Sequence, residues 1–226
     1  MRKPLMAALT GVVALSLAAT AQAQVTQNAD IKFTSKKPGS STGIIAALRG
    51  ERTDPQVKIP GATKIVVAFP SGTKFNTDVP GLCRANGQQV QQSNGSVCPR
   101  NSRVGTGNAL ADATPVIAAP VSEQIIAFNR NNGIFFYLQG LQTAVLTSTV
   151  RGNKLTTVVP PFPLPGGGVA ALTDFTLRTR PVKKSGKNWI TTPKSCPSSG
   201  EWTSTTTFTY ATAPTDIVTS TTPCTR

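Results

Sequence analysis

The sequence predicts an all-β protein built from many short strands. Glycine and proline account for 19 and 18 of the 226 residues, and they separate short runs rich in threonine and valine, which is typical of strands joined by turns. Turn-forming pairs such as Asn132-Gly133 and Gly152-Asn153 lie between such runs. The one helix candidate, Ile44 to Leu48, is too short to form a stable helix by itself.

The first 23 residues predict a signal peptide. Arg2 and Lys3 precede an apolar run from Leu5 to Ala19, and Ala21-Gln22-Ala23 supplies the small residues of a cleavage site before Gln24. The apolar run is too short for a stable membrane anchor, and no second run of that length follows. We therefore expect a secreted mature chain, residues 24–226, that forms a single domain.

Strand character begins early in the mature chain. It is found at Asp30 to Ser35, at Thr63 to Phe69 and at Ser102 to Ala111. Gly105 and Gly107 interrupt the third run, which predicts either a bulge or a close approach of another backbone segment.

Two hairpins are predicted in the middle of the chain. Ser122 to Asn129 leads through Asn132-Gly133 into the apolar run Ile134 to Leu138, which we expect to be covered on both faces and to form the centre of the core. Thr143 to Arg151 turns at Gly152-Asn153 and returns as Lys154 to Val159.

The C-terminal third begins with a break and ends with a regular alternation. Pro160 to Gly168 is an extended connection that could divide two sub-domains, although β-prone segments on both sides favour one sandwich. From Glu201 to Tyr210, one face is threonine and the other carries Trp202, so we expect the aromatic face to point inward. Trp189 is also predicted to be in the core.

The four cysteines predict two disulfide bonds, as expected for an exported protein with an even number of cysteines. Three pairings are possible. Pairing Cys83 with Cys98 and Cys196 with Cys224 closes two local loops, and we predict this pairing. The spacings do not match a metal site or a redox motif.

Composition excludes many catalytic mechanisms. The chain carries a formal net charge of +14 and no histidine, and removing Arg2 and Lys3 with the signal leaves about +12. Histidine is the usual proton-transfer group and metal ligand near neutral pH, so a serine triad is excluded. Ser71-Gly72-Thr73-Lys74 fits an S-x-x-K motif, but it follows Pro70 in a turn rather than at the start of a helix. We predict that the protein is not an enzyme and uses no cofactor.

A pair of carboxylates remains the one catalytic alternative, since two acids can hydrolyse a glycosidic bond. No spacing distinguishes any pair, and no calcium-binding run is present. The candidates are Asp54, Asp78, Asp112, Glu123, Asp174, Glu201 and Asp216.

One segment concentrates positive charge around the turn from Pro181 to Gly186. Its members are Arg178, Arg180, Lys183, Lys184 and Lys187. We predict that this basic cluster binds an anion, with a solvated loop tip as the alternative. Aromatic residues make up 6% of the chain, which is little material for stacking nucleic-acid bases.

Several motifs together resemble a known group of proteins. They are Phe69-Pro70-Ser71-Gly72-Thr73-Lys74-Phe75-Asn76, Pro80-Gly81-Leu82-Cys83, Cys98-Pro99, Ser102-Arg103-Val104-Gly105-Thr106-Gly107, Thr192-Pro193-Lys194-Ser195-Cys196-Pro197, Gly200-Glu201-Trp202, Phe208-Thr209-Tyr210 and Cys224. In this order they resemble uncharacterised secreted bacterial proteins of the kind found in actinobacteria. The resemblance implies an immunoglobulin-like or related β-sandwich with two local disulfides, and it implies no activity.

We therefore expect a secreted or envelope-associated protein whose basic surface binds an anionic extracellular or cell-envelope polymer. The first alternative is a protein-binding or adhesion module that contacts another surface protein. The second is a carboxylate-dependent extracellular glycoside hydrolase.

Overall fold

The computed structural model describes residues 25–225, apart from 55–56, 115, 118–119, 141–142 and 165–166. The predicted signal peptide lies outside the described residues. In the first half of the chain the elements are β1 (Val25–Phe33), β2 (Ile44–Arg52), β3 (Ala62–Ala68), β4 (Lys74–Phe75), α1 (Gly87–Gln92), a 3-10 turn (Arg100–Ser102) and β5 (Arg103–Asp112).

The second half of the chain continues with strands alone in its described part. They are β6 (Val121–Arg130), β7 (Gly133–Gln139), β8 (Ala144–Arg151), β9 (Lys154–Val158), β10 (Phe162–Pro163), β11 (Val169–Thr179), β12 (Lys183–Lys184), β13 (Lys187–Asn188), β14 (Ile190–Thr191), β15 (Glu201–Tyr210) and β16 (Asp216–Pro223). The all-β prediction is confirmed.

Most strands belong to one antiparallel sheet. Its order is β1-β2-β11-β5-β6-β7-β8-β9-β3-β15-β16, and β10 pairs with β11 outside this path. The strands thus follow one continuous hydrogen-bonded path, so the sandwich and immunoglobulin-like parts of the prediction are not confirmed. Within the described residues, no helix is long and apolar enough to cross a membrane.

The two ends of this sheet meet, and side-chain hydroxyls join them. The backbone N–H of Ile31 in β1 donates to Ser220 Oγ of β16 at 3.1 Å, and that of Phe33 donates to Thr222 Oγ1 at 3.1 Å. Ser220 Oγ also donates to the carbonyl oxygen of Ile31. These hydroxyls satisfy buried backbone groups of β1, and core residues such as Ile31 and Phe33 pack inside this seam.

Both predicted hairpins are confirmed. β6 and β7 are joined by a two-residue turn in which Asn132 has φ 51°, and β7 is buried from Gly133 to Leu138, as expected of a strand covered on both faces. β8 and β9 turn at Gly152, which has φ 60°. Tight hairpin turns need such left-handed residues, and asparagine and glycine adopt that conformation at low cost.

The alternation at the C-terminus is confirmed as well. In β15, Trp202 and Phe208 are buried on the inner face, and the threonines of the other face are exposed or half-buried. Trp202 donates from Nε1 to the carbonyl oxygen of Ser195 at 3.0 Å, and Trp189 is fully buried. Both tryptophans therefore belong to the core, as predicted.

The short helix candidate, Ile44 to Leu48, does not form a helix; it is the start of β2, which lies between β1 and β11. Among the described residues the α-helix is α1, which begins at Gly87 with Asn86 as its N-cap. Asn86 Oδ1 accepts from the backbone N–H of Gln89, and Gln89 Oε1 accepts from that of Asn86, both at 2.9 Å. This reciprocal capping stabilises a helix of one and a half turns.

Both disulfide bonds form as predicted, Cys83 with Cys98 and Cys196 with Cys224. The first lies in a lobe, residues 76–102, that packs on the outer face of β6–β8. A second core fills this interface and includes Val90 of α1 together with Phe128 and Tyr137 of the sheet. The lobe therefore rises from the sheet surface and forms one wall of the groove described next.

Candidate anion-binding groove

The predicted basic cluster divides into two parts. Arg178 lies in β11 and Arg180 directly follows it, whereas Lys183, Lys184 and Lys187 belong to the small β12–β13 hairpin. This hairpin turns at Ser185 and Gly186, which have φ 48° and 74°. The three lysines are not among the residues that line the groove beside Arg178.

Arg178 and Arg180 line a groove of about 1200 Å³ together with two arginines from another part of the chain, Arg100 and Arg103. All four arginines are exposed. The remaining lining residues come from the lobe, from β5 and β6, and from the chain around Thr34 and Pro181. They are Thr34, Asn94, Gly95, Ser96, Cys98, Val104, Gly105, Thr106, Ile126, Phe128, Thr179 and Pro181.

The pairing of β5 with β11 brings the arginines together. Thr106 of β5 is opposite Arg178, and the register of β5 shifts between Arg103 and Gly105 where it pairs with β6. The backbone N–H of Arg180 donates to the carbonyl oxygen of Val104 at 3.0 Å. The end of β11 is thereby fixed beside the start of β5.

Two glycines permit this close approach of β5 and β11. A Cβ on Gly105 would lie 2.7 Å from the carbonyl oxygen of Arg178, and a Cβ on Gly107 would overlap the carbonyl oxygen of Thr176. Backbone atoms are in the way in both cases, so a side chain would have to push the strands apart. The predicted bulge and close backbone approach are both confirmed.

The lobe wall is held by covalent and hydrogen bonds. Cys98 lines the groove, and its disulfide partner Cys83 donates a backbone hydrogen bond to the carbonyl oxygen of Asn129 in β6 at 2.8 Å. The fully buried Asn129 side chain donates from Nδ2 to the carbonyl oxygens of Thr77 and Gly81. Buried hydrogen bonds from a side-chain amide, such as these, fix the lobe on the sheet.

All charged side chains that line the groove are positive. None of its lining residues is acidic, and in the described part of the chain the ion pairs are Lys32–Asp30, Arg49–Asp174 and Arg52–Asp112. None of these pairs includes a groove arginine. Concave surfaces lined by charges of one sign focus the electric field, which favours a ligand of the opposite sign.

A second hollow of about 580 Å³ continues from the groove across the outer face of the sheet. The two share Arg103, Thr106, Ile126 and Arg178. Beyond these shared residues, the polar side chains that line the hollow are all uncharged. They are Asn108, Gln124 and Thr176.

Two of the carboxylates considered as catalytic candidates, Asp112 in β5 and Glu123 in β6, are buried. Asp112 Oδ2 accepts from Arg52 Nη1 at 3.3 Å, and Asp112 Oδ1 accepts from the hydroxyl of Thr114 at 2.7 Å. Burial alone would raise the pKa of Asp112, but the bonds from Thr114 and the charges of Arg52 and Lys58 lower that pKa below its ordinary value.

The other acidic candidates are spread over the chain. Asp78 lies in the lobe, Asp174 in β11, Glu201 in β15 and Asp216 in β16, while Asp54 follows β2. Asp216 accepts from the hydroxyl of Tyr210, and burial, with this bond as a second cause, raises the pKa of Tyr210. None of the acids lies among the groove residues.

The structure also bears on the S-x-x-K match and on metal binding. Ser71 is exposed in the turn between β3 and β4, so the S-x-x-K match lies in the turn context that was expected for it. Among the described residues, no group of three or more histidine, cysteine or acidic side chains is arranged to hold a metal ion.

Sequence reasoning missed Arg100 and Arg103. Both lie near Cys98 in the chain, more than 70 positions before Arg178, and nothing in the local sequence indicates that β5 pairs with β11. Strand alternation would not have indicated them either, because the register shift between Arg103 and Gly105 reverses the alternation, and Arg100 lies in the 3-10 turn before β5.

Comparisons with known protein families, with curated proteins and with solved structures find no match to this chain. The resemblance to secreted bacterial proteins therefore stays a prediction, and function has to be argued from the groove itself.

Proposed function

We propose that the protein is a secreted, non-enzymatic binding protein that holds an anionic extracellular or cell-envelope polymer in the arginine groove. The observation that carries the proposal is the convergence of Arg100, Arg103, Arg178 and Arg180 on one concavity without an acidic lining residue. Guanidinium groups donate paired hydrogen bonds to phosphate and carboxylate oxygens, which suits them to this class of ligand.

Three features support secretion and binding over catalysis. Two disulfide bonds are typical of proteins that function outside the cytoplasm. The sequence has no histidine, and the groove residues include no acid, so proton transfer to or from a ligand in the groove lacks its usual groups. The arginines supply charge and hydrogen-bond donors, which suffice for binding.

A charge-matched pair of variants tests the proposal. Arg103→Gln with Arg178→Gln removes two charges from the groove, and Lys183→Gln with Lys184→Gln removes two from the hairpin. Binding to immobilised poly(glycerol phosphate) and to polygalacturonate is measured at physiological ionic strength. Because the groove arginines would contact the polymer directly, we expect the arginine variant to lose at least tenfold in affinity for one or both polymers, and the lysine variant to lose about twofold.

Equal losses in the two variants would mean that net charge alone attracts the polymer, and the groove would then not be the site. Undetectable binding of the unaltered protein to either polymer, even at low salt, would overturn the proposed function itself.

A further inference from the structure

We propose that the ligand is a chain of hydroxylated units, sugars or polyols, bearing phosphate groups, with phosphate in the arginine groove and an uncharged unit in the adjoining hollow. This inference rests on the proposed function and specifies its ligand. It derives from the change in side-chain chemistry along the outer face of β2, β11, β5 and β6.

The register of these strands arranges the outward side chains in rows. The first row crosses the sheet as Ile45, Arg178, Thr106 and Ile126; all four line the hollow, and the last three also line the groove. The next row is uncharged and consists of Ala47, Thr176, Asn108 and Gln124. The third row contains the ion pair between Arg49 and Asp174, at 2.8 Å.

Successive outward residues of a strand are nearly 7 Å apart, so the first and third rows are about 14 Å apart. The net positive charge of the surface disappears over this distance. The cationic end lies at Arg178 and Arg103, and the far end presents the carboxylate of Asp174 beside its partner Arg49. A polymer with closely spaced anionic groups would place some of them on the uncharged row and next to Asp174. A polymer with uncharged units between its anions avoids both.

The uncharged row has free hydrogen-bonding capacity. The Thr176 hydroxyl is used, since it accepts from the backbone N–H of Asn108 and donates to the carbonyl oxygen of Asn108. The side-chain amides of Asn108 and Gln124 are exposed. An amide both donates and accepts, which matches the hydroxyl groups of a sugar or polyol.

The arginines favour phosphate over carboxylate for a geometric reason. Arg100 belongs to the lobe, and Arg178 and Arg180 lie at the end of β11, so the groove arginines come from different parts of the fold. The oxygens of a phosphate are arranged tetrahedrally and can accept from guanidinium groups on different sides, whereas the two oxygens of a carboxylate and all their lone pairs lie in one plane.

The test compares three polymers of known chemistry with the full mature protein. Poly(glycerol phosphate) alternates polyol and phosphate, inorganic polyphosphate lacks the hydroxylated unit, and polygalacturonate has hydroxylated units with carboxylates. The variant is Asn108→Ala with Gln124→Ala. Its matched control is Gln88→Ala with Gln92→Ala, which removes two exposed side-chain amides of α1 that line neither the groove nor the hollow.

We expect poly(glycerol phosphate) to bind most tightly of the three polymers. The Asn108 and Gln124 variant should weaken that binding by about three- to tenfold, the cost of one or two lost hydrogen bonds, and should leave polyphosphate binding unchanged. The α1 control should bind all three polymers as the unaltered protein does.

Two results would overturn the inference while leaving the proposed function intact. One is arginine-dependent binding that is unaffected by the Asn108 and Gln124 substitutions. The other is arginine-dependent binding of polygalacturonate or polyphosphate that is as tight as binding of poly(glycerol phosphate). Loss of arginine dependence for every polymer would instead overturn the proposed function.

Discussion

Arg180 donates a hydrogen bond from Nη2 to the backbone carbonyl oxygen of Arg103 at 3.1 Å. One arginine of the groove therefore holds the main chain that carries another, and the two remain close although 77 positions separate them in the sequence. Holding like charges side by side costs electrostatic free energy, and a bound anion relieves that cost. This arrangement predicts that polyanions stabilise the protein against unfolding.

The salt dependence of binding should follow the groove arginines. In nucleic-acid complexes each phosphate contact that is lost lowers the slope of log K against log salt by about 0.7 to 0.9, because fewer counterions are released, and this value is an upper bound for a polymer with more widely spaced phosphates. The Arg103→Gln, Arg178→Gln variant should therefore show a slope shallower by about one to two when poly(glycerol phosphate) binding is titrated with salt. An unchanged slope would mean that these two arginines do not contact phosphate.

The Cys83–Cys98 disulfide should support binding as well as stability. Replacing both cysteines with alanine should lower the free energy of unfolding by about 3 kcal/mol, and it should also weaken polymer binding, because the lobe wall that carries Arg100 is released. Chemical denaturation and affinity measurements check the two effects.

The second disulfide supplies the control for this prediction. Neither Cys196 nor Cys224 lines the groove, so replacing this pair with alanine should lower stability by a similar amount and keep the affinity of the folded protein. A comparable loss of affinity in both variants would show that the lobe has no special part in binding.

Gly107 should not tolerate even a single methyl group. Its Cβ would overlap the carbonyl oxygen of Thr176, so Gly107→Ala must separate β5 from β11 and should lower the free energy of unfolding by about 2 to 3 kcal/mol. In the control Gly61→Ala, the new methyl group would meet the Cβ of Ala171 at 3.4 Å, which the structure can accommodate. Equal stabilities of the two variants in denaturant titrations would contradict the described β5–β11 contact.

Asp112 should make stability depend on acid pH. Its folded-state pKa is lowered, so its contribution is complete above the unfolded-state pKa, about 4, and disappears as pH falls through the folded-state value. Asp112→Asn should therefore cost about 2 kcal/mol at neutral pH, and the difference from the unaltered protein should shrink toward pH 2. The exposed Asp78→Asn serves as control, and a difference that stays constant with pH would refute this role of Asp112.

Local sequence patterns predicted much of the fold, since hairpins and amphipathic strands are encoded by neighbouring residues. The alternation around Trp202 and the apolar run after Asn132 both gave correct strands with correct faces. The run from Ile44 was ambiguous in the sequence, because a short apolar segment suits a buried strand as well as a helix, and only its position between β1 and β11 makes it a strand.

The sequence predicted two of the four arginines in the groove. Arg178 and Arg180 form a visible local charge cluster, but Arg100 and Arg103 join them through long-range strand pairing, which a single sequence does not specify. Lys183, Lys184 and Lys187 belong to the same sequence cluster, yet the β12–β13 turn places them on a separate hairpin.

Nuclear magnetic resonance titration of the folded protein with a short glycerol phosphate oligomer tests the central claim most directly. We expect the side-chain Nε–Hε signals of Arg103 and Arg178 and the backbone amide signal of Thr106 to shift in a saturable way at physiological ionic strength. The signals of Lys183 and Lys184 should remain in place. Shifts that are largest at the lysine hairpin, or spread evenly over the basic residues, would contradict a binding site in the groove.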